Sequence, residues 1–399
     1  MMNKIKYLLL VTVWMFPYFN HCLAQNNRKL KKTVAAVYPA VPDLPGYKTL
    51  KCDFHMHTVF SDGRVWPNFR VDEALLDGLD AISLTEHTDF VKYGDDMKRD
   101  GNRAYQIALD YAKGKNLIII NGGEISPRVP PYHNNAIFLK DANLPFDYMK
   151  SAKNVFIMKD KIDHKDLMAP FLEAQKQGAF VFYNHPGGMP EYVVQDTAVF
   201  TDFHKELFKK GILKGIEVVN SANYNVRAHE LAMQYDLTMV CNTDEHADNN
   251  RKYKNSHRPM TLVFAKEKTE ASIKEAMLAK KTALYFDDYI VARQPEAEAF
   301  FKAAITASAK RDNRKKEPVL EIKFKNSSDV PFNVEITSDY KMMNYPLGQV
   351  TLKAQGETTI TFRAMWKYPD TAKLNVKVNN IIVSPREALK TSFILETKQ

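Results

Sequence analysis

The sequence predicts an α/β fold, a parallel sheet or barrel wrapped by helices, followed by a small all-β domain. Two observations predict the first part. Between residues 48 and 298, helix-patterned stretches alternate with short apolar runs, the order expected of repeated strand–helix units. Directly after those runs stand His, Asp and Glu, where parallel α/β folds gather their ligands. One observation predicts the second part. From residue 299 the helical period gives way to short alternating stretches divided by turn residues.

Taken in order, residues 1–24 read as a signal peptide. Lys4 and Lys6 precede an apolar run over 7–16, and Cys22-Leu23-Ala24 offers a small residue for cleavage. The run is too short, and too interrupted by Pro17, Asn20 and His21, to span a bilayer. The expectation is a secreted or periplasmic protein with no stable membrane anchor. The leader holds two lysines and no acid, so the net charge falls from +9 to +7 on its removal. That mild excess suits an anionic small-molecule substrate and does not demand nucleic acid. Cys52 and Cys241 remain, each inside an apolar run, and read as buried free thiols. Residues 25–47, basic and then proline-rich, read as a linker.

From there the alternation can be followed unit by unit. Helix patterns cover 71–77, 102–113, 166–177, 200–210, 227–235 and 270–281, and apolar strand runs cover 81–84, 117–120, 179–183, 215–219, 237–241 and 282–286. The first strand ends in Asp53-Phe54-His55-Met56-His57, where the alternation of strand side chains would place both imidazoles on one face. Asp62, in the turn-like Ser61-Asp62-Gly63, could fold back over them. Leu84-Thr85-Glu86-His87, Gly122-Gly123-Glu124, Asn184-His185-Pro186 and Asn242-Thr243-Asp244-Glu245-His246 close later strands, and His133 stands just ahead of one. Of ten histidines outside the leader, six fall on this presumed rim. His164, His204 and His229 read as packing or surface residues, and His257 stays open beside Arg258.

Six imidazoles and three carboxylates exceed the four ligands of one tetrahedral ion. The count favours two or three clustered divalent ions. Nitrogen and oxygen donors suit zinc, manganese or iron without choosing among them. Such ions acidify a bridging water and clamp phosphoryl oxygens, which makes phosphoester hydrolysis the natural reaction.

In order, His55-x-His57, Ser61-Asp62-Gly63, Leu84-Thr85-Glu86-His87, Gly123-Glu124, Asn184-His185-Pro186 and Thr243-Asp244-x-His246 resemble the motifs of the PHP (polymerase and histidinol phosphatase) superfamily over roughly residues 48–290. The resemblance implies a distorted (β/α)7 barrel, TIM-like in outline, holding up to three metals. By it, His55, His57, Glu124 and Asp244 would hold one ion, Glu124 with His133 and His185 a second, and Asp62, His87 and His246 a third. Glu86 stands where the family usually has Asp, and is read as supporting a ligand. The leader and the 257–264 stretch look like the secreted bacterial PHP phosphodiesterases.

A phosphate also needs a cation, and Arg matches its oxygens best. Arg227 is the first choice, with Arg128, Arg258 and Arg64 as alternatives. Glu124, Asp244 and Arg227 are thus the candidate catalytic residues, and no general acid stands out. Residues 299–399 contain neither His nor Cys and read as a β-sandwich outside the chemistry. The function expected is an exported metal-dependent phosphoesterase acting on small phosphodiesters or monoesters. The alternative is a metal-loaded barrel that binds without turnover. An amidohydrolase-like barrel is disfavoured because Glu124 occupies the position of the expected carboxylated Lys.

Overall fold

The computed structural model describes residues 39–145, 162–187, 198–253, 256–312, 319–345, 347–363 and 370–398. The leader expected over 1–24 lies outside them. The first part of the chain comprises β1 (Lys48–Asp53), α1 (Pro67–Leu76), β2 (Ala81–Leu84), α2 (Arg103–Ala112), β3 (Ile118–Ile125), β4 (Asn134–Ile137), α3 (His164–Lys176) and β5 (Phe180–Tyr183). It continues with α4 (Asp202–Lys209), β6 (Leu213–Asn220), β7 (Asn223–Tyr224), α5 (Val226–Gln234), β8 (Thr238–Asn242), α6 (Asn249–Lys252), β9 (Met260–Ala265), α7 (Glu270–Leu278), β10 (Thr282–Phe286), β11 (Tyr289–Ala292) and α8 (Gln294–Ala304). The last part is all strand: β12 (Ile305–Asp312), β13 (Val319–Asn326), β14 (Phe332–Thr337), β15 (Gln349–Leu352), β16 (Glu357–Arg363), β17 (Thr371–Ser384) and β18 (Glu387–Lys398).

The main sheet runs β8-β6-β5-β4-β3-β2-β1-β9-β10-β11. Its pairs β1/β2, β2/β3, β5/β6 and β6/β8 are parallel. The pairs β3/β4, β4/β5, β1/β9, β9/β10 and β10/β11 are antiparallel. The expectation of a closed (β/α)7 barrel needs correction here, because the sheet does not close by a backbone ladder. Instead the buried Thr261 side chain on β9 accepts from Cys241 N–H and donates to Cys241 C=O, both at 2.8 Å, linking β9 to β8.

Apolar residues from the inner face explain the curl. Leu50, Cys52 and Phe54, Phe180 and Phe182, Val240, and Val263 and Ala265 meet in one buried cluster with Ile273, Ala276 and Met277 of α7. Along β1, β5 and β9 these residues recur at every second position, as strand geometry requires. Cys52 and Cys241 are both free and buried. Among the described residues no helix is long and apolar enough to cross a membrane.

Antiparallel insertion also settles where His133 lies. Because β4 runs against β3 and β5, its start shares the rim with their ends, so a residue just before β4 faces the same place as one just after β3. The C-terminal strands form two layers, β12-β13-β16 and β15-β14-β17-β18, joined where β18 pairs β12. Inward positions alternate with exposed ones along β13 and β16.

Candidate metal centre

The rim is assembled by short-range fits between strand ends. β1 stops at Asp53, and the chain continues extended so that Met56 bridges Glu245 and His57 N–H donates to Glu245 C=O at 3.0 Å. His87 bridges Glu124 in the same way. Gly122 permits β3 to lie tight on β2, since a Cβ there would sit 2.4 Å from Ser83 Oγ. Gly63 lets the Asp62 turn press on the ligand loop, since its Cβ would meet the His57 backbone at 2.7 Å. His185 and Asp244 hold backbone of positive φ, 25° and 53°, uncommon for residues other than glycine. Each is pinned: His185 N–H donates to Glu217 Oε2 at 2.7 Å and Asp244 N–H to His55 C=O at 2.8 Å. Strain kept in place by such bonds is a mark of functional positions.

All nine expected ligands come together. Their donor atoms form four groups with every atom within 4.8 Å of the others in its group: His57, Asp62, His87 and His246; His55, His57 and Asp244; His55, Glu124 and His185; and His87, Glu124 and His133. Glu124 is the hub. Its oxygens lie 3.0 Å from His87 Nδ1 and His133 Nδ1, 3.5 Å from His57 Nε2, 3.6 Å from His55 Nε2 and 3.7 Å from His185 Nε2. Asp244 Oδ1 lies 3.2 Å from His55 Nε2 and 3.3 Å from His57 Nε2. Asp62 faces His246 Nε2 at 3.2 Å and His87 Nε2 at 3.5 Å. His133 and His185 both face Glu124 but fall in separate groups, His133 with His87 and His185 with His55.

The donor set fits divalent ions. His55 Nε2, His57 Nε2, His133 Nε2, Glu124 Oε2 and Asp62 Oδ1 are buried, yet none makes a hydrogen bond. Buried polar atoms are otherwise nearly always paired. Apart from His133, which faces Glu124 through Nδ1, their lone pairs point at one another across the centre. Electrostatics agrees: burial opposes ionisation of Glu124, Asp244 and Asp62, but the surrounding imidazoles hold all three well below the usual carboxylate range. Burial, with His246 nearby, brings His57 down to about 3, so that ring is neutral.

Residues outside the nine set their orientation, and sequence reading missed most of them. Glu217 Oε1 lies 2.8 Å from His55 Nδ1, leaving Nε2 to face Glu124 and Asp244. Ser126 Oγ donates to Asp89 at 2.6 Å and so accepts from His87 Nδ1 at 2.7 Å, leaving Nε2 toward Asp62. Carboxylate and hydroxyl partners of this kind fix the tautomer of ligating imidazoles. One signal could have found Glu217: it is the single charge inside the apolar run 216–219. Glu86 does support ligands, accepting from Thr58 N–H and hydroxyl at 3.0 and 2.5 Å and from Ser61 Oγ. Behind the rim, Arg70 donates to the carbonyls of His57, Glu245 and Ala247, clamping two ligand-bearing loops.

Arg227 is not gathered with these groups. It lies in the first turn of α5, 46% exposed, and pairs with Glu230 at 2.6 Å. Arg258 is fully buried against Asp53 and Asp77. Arg64 is exposed, and its backbone N–H donates to His246 C=O at 2.7 Å. Of the remaining histidines, His164 pairs with Glu206, and His204 and His229 are buried packing residues. His257 stacks on Tyr285 with ring centroids 3.8 Å apart.

Comparison with known proteins agrees with this geometry. Residues 305–394 match the family model of an Ig-like domain. The chain matches no curated protein. Among solved structures, a two-domain protein from Bacteroides vulgatus, described as containing a predicted PHP-like metal-dependent phosphoesterase, is 36% identical over 90% of this chain and 98% of its own, with a TM-score of 0.77. A candidate metal-dependent phosphoesterase from Bifidobacterium adolescentis shares 15% identity over 60% of this chain and 98% of its own, with a TM-score of 0.40. That last likeness is too slight to bear on the fold. With the ordered motifs converging on one rim and a full-length relative at this identity, the chain belongs to the PHP superfamily of metal-dependent phosphoesterases.

Proposed function

We propose that the protein is an exported phosphoesterase that hydrolyses phosphodiester or phosphomonoester bonds of small molecules, using two or three divalent ions held by His55, His57, Asp62, His87, Glu124, His133, His185, Asp244 and His246. One observation carries the reading: four imidazoles, of His55, His57, His133 and His185, face the two oxygens of the buried Glu124, the arrangement that lets one carboxylate serve adjacent ions. Ions bound there would supply Lewis acidity toward phosphoryl oxygens and an acidified water. The protein's own share is to hold donors in place before substrate arrives. Glu217 keeps the proton of His55 on Nδ1, Ser126 does the same for His87, and Glu86 fixes the Thr58–Ser61 turn that precedes Asp62. Arg64, whose backbone N–H donates to His246 C=O at 2.7 Å, is the arginine we assign to a substrate phosphate.

The test is release of p-nitrophenol from bis(p-nitrophenyl) phosphate and from p-nitrophenyl phosphate by protein whose bound metal has been measured. Glu124→Gln should abolish turnover and deplete the metal together. No release from either ester by metal-loaded protein would leave a binding module. Export rests on the N-terminal pattern alone, and is checked by finding the chain outside the cytoplasm with a new terminus following Ala24.

A further inference from the structure

A phosphoester carries an organic arm as well as its phosphoryl group. Beside the metal centre lies a cavity of about 630 Å³ whose wall includes His185 and Glu217, so it is continuous with two groups of the centre. The geometry points to this cavity as the seat of the arm, and to the arm's class: an uncharged planar ring, aryl or heteroaryl. This inference rests on the phosphoesterase reading and names what lies on the far side of the ester oxygen.

Size is the first argument. A volume in the usual range of small-molecule sites is far more than a phosphate fills. Shape is the second. Tyr224 and Phe286 hold their rings nearly parallel, 12° apart with centroids at 6.4 Å. Phe286 is stacked in turn on Tyr289 at 5.8 Å and 18°, and the Tyr224 hydroxyl is held by His229 Nδ1 at 2.8 Å. Rings fixed in this way give the cavity a rigid apolar side, which suits a flat ring better than a flexible chain.

Charge is the third. Among the described residues the wall carries no Lys or Arg. Its one carboxylate, Glu217, is engaged by His55, by the N–H of His185 and by the amides of Asn220 and Asn242. With the His185 ring turned to Glu124 and Asp244, an anionic group on the arm would find no cation in the wall to offset its desolvation, whereas a neutral ring would not suffer.

The backbone supplies a fourth argument. Ser221 and Ala222, the two residues turning between β6 and β7, both have positive φ, 50° and 66°. Glycine or asparagine would adopt that turn freely, and these residues do not. Ser221 Oγ donates to Thr243 C=O at 2.5 Å, so the turn that presents Tyr224 is fastened to the loop bearing Asp244. Strain retained beside a reactive centre marks a position that matters.

Calorimetric titration of the metal-loaded protein with phenylphosphonate and methylphosphonate tests the inference, since neither ligand has an ester bond to cleave. Phenylphosphonate should bind at least tenfold more tightly, and 4-carboxyphenylphosphonate should lose that gain. Phe286→Ala should bring phenyl and methyl ligands within twofold of each other. Equal affinities in the unsubstituted protein would overturn the inference whatever the variant does, and so would undiminished binding of the carboxylated ligand. Failure of the phosphoesterase reading is distinguishable: it shows as absent p-nitrophenol release, with the phenyl preference still present.

Discussion

The carboxylate of Glu217 is buried and accepts from His55, from the His185 backbone and from two asparagine amides, so it acts on the centre through its neighbours. Glu217→Gln would keep the shape but lose the charge that holds the His55 proton on Nδ1. Metal affinity should fall about 10- to 100-fold, the usual effect of removing such a partner. Competition with a metal-sensitive dye measures it, and unchanged affinity would refute the role. The imidazoles also predict a pH effect. Burial works against the protonated forms of His55, His87, His185 and His246, but the facing carboxylates outweigh it and raise all four. Binding of ions must therefore displace protons, and affinity should weaken as pH falls, starting above the ordinary histidine value of about 6.5. Calorimetry in two buffers of different ionisation heat should show net proton release at neutral pH. At this scale most of the nine candidate ligands were legible because they follow apolar runs at fixed places, while Asp62 stands in a turn and His133 ahead of its strand. Glu217 stood out only as a lone charge in an apolar run, and its pairing with His55 did not show, because the two are distant in the chain and spacing encodes nothing about it.

Elements show the same division between local and distant information. Helices such as α2, α5 and α7 follow from apolar periodicity and end within a few residues of expectation. The seam between β8 and β9 does not, because an open ladder depends on how far the whole sheet curls. Thr261 compensates at that seam by meeting both Cys241 backbone groups. Thr261→Val preserves volume but strands a buried N–H and C=O, costing about 1–3 kcal/mol for each. Urea unfolding should show the loss, and Thr261→Ser, which keeps the hydroxyl, should recover most of it. If Val and Ser behave alike, the seam is held by packing alone. The helix α8 was also missed, although Ala297, Phe300, Phe301 and Ala304 recur at helical spacing and are all buried. Their run lies where the composition shifts toward strands, and the shift concealed it.

At the scale of the whole molecule, the sandwich expected beyond the barrel continues the same sheet. β17 pairs in parallel with β11 through Ile290–Ile381 and Val291–Ile382, and also with β14 and β18. Asn380 spans the join, donating to Asp288 C=O at 2.6 Å and Pro331 C=O at 2.7 Å. Phe301 of α8 meets Phe332 edge-on at 5.1 Å, and one apolar cluster runs from Val71 and Ala104 through Phe300 to Phe324 and Phe362. Residues 39–47 are drawn in as well, with Leu44 buried and Ala40 exchanging hydrogen bonds with Asp329. None of this was legible, since strand partners some ninety residues apart leave no periodic trace. The consequence is testable by cutting the chain after Ala304. An appended module would detach without harm. Here the cut exposes the β11 edge and the faces of Phe300 and Phe301, each worth about 1.5–3 kcal/mol when buried, against a typical stability of about 5–15 kcal/mol. An unpaired apolar edge also invites association between chains. The truncated chain should therefore melt lower, aggregate and retain less metal, because β10, which β11 supports, ends in Phe286, and Phe286 shares a cavity wall with His185. Scattering, thermal melting and metal analysis of the 39–304 fragment decide the matter, and a soluble fragment with the full-length melting temperature and metal content would disprove the shared-sheet account.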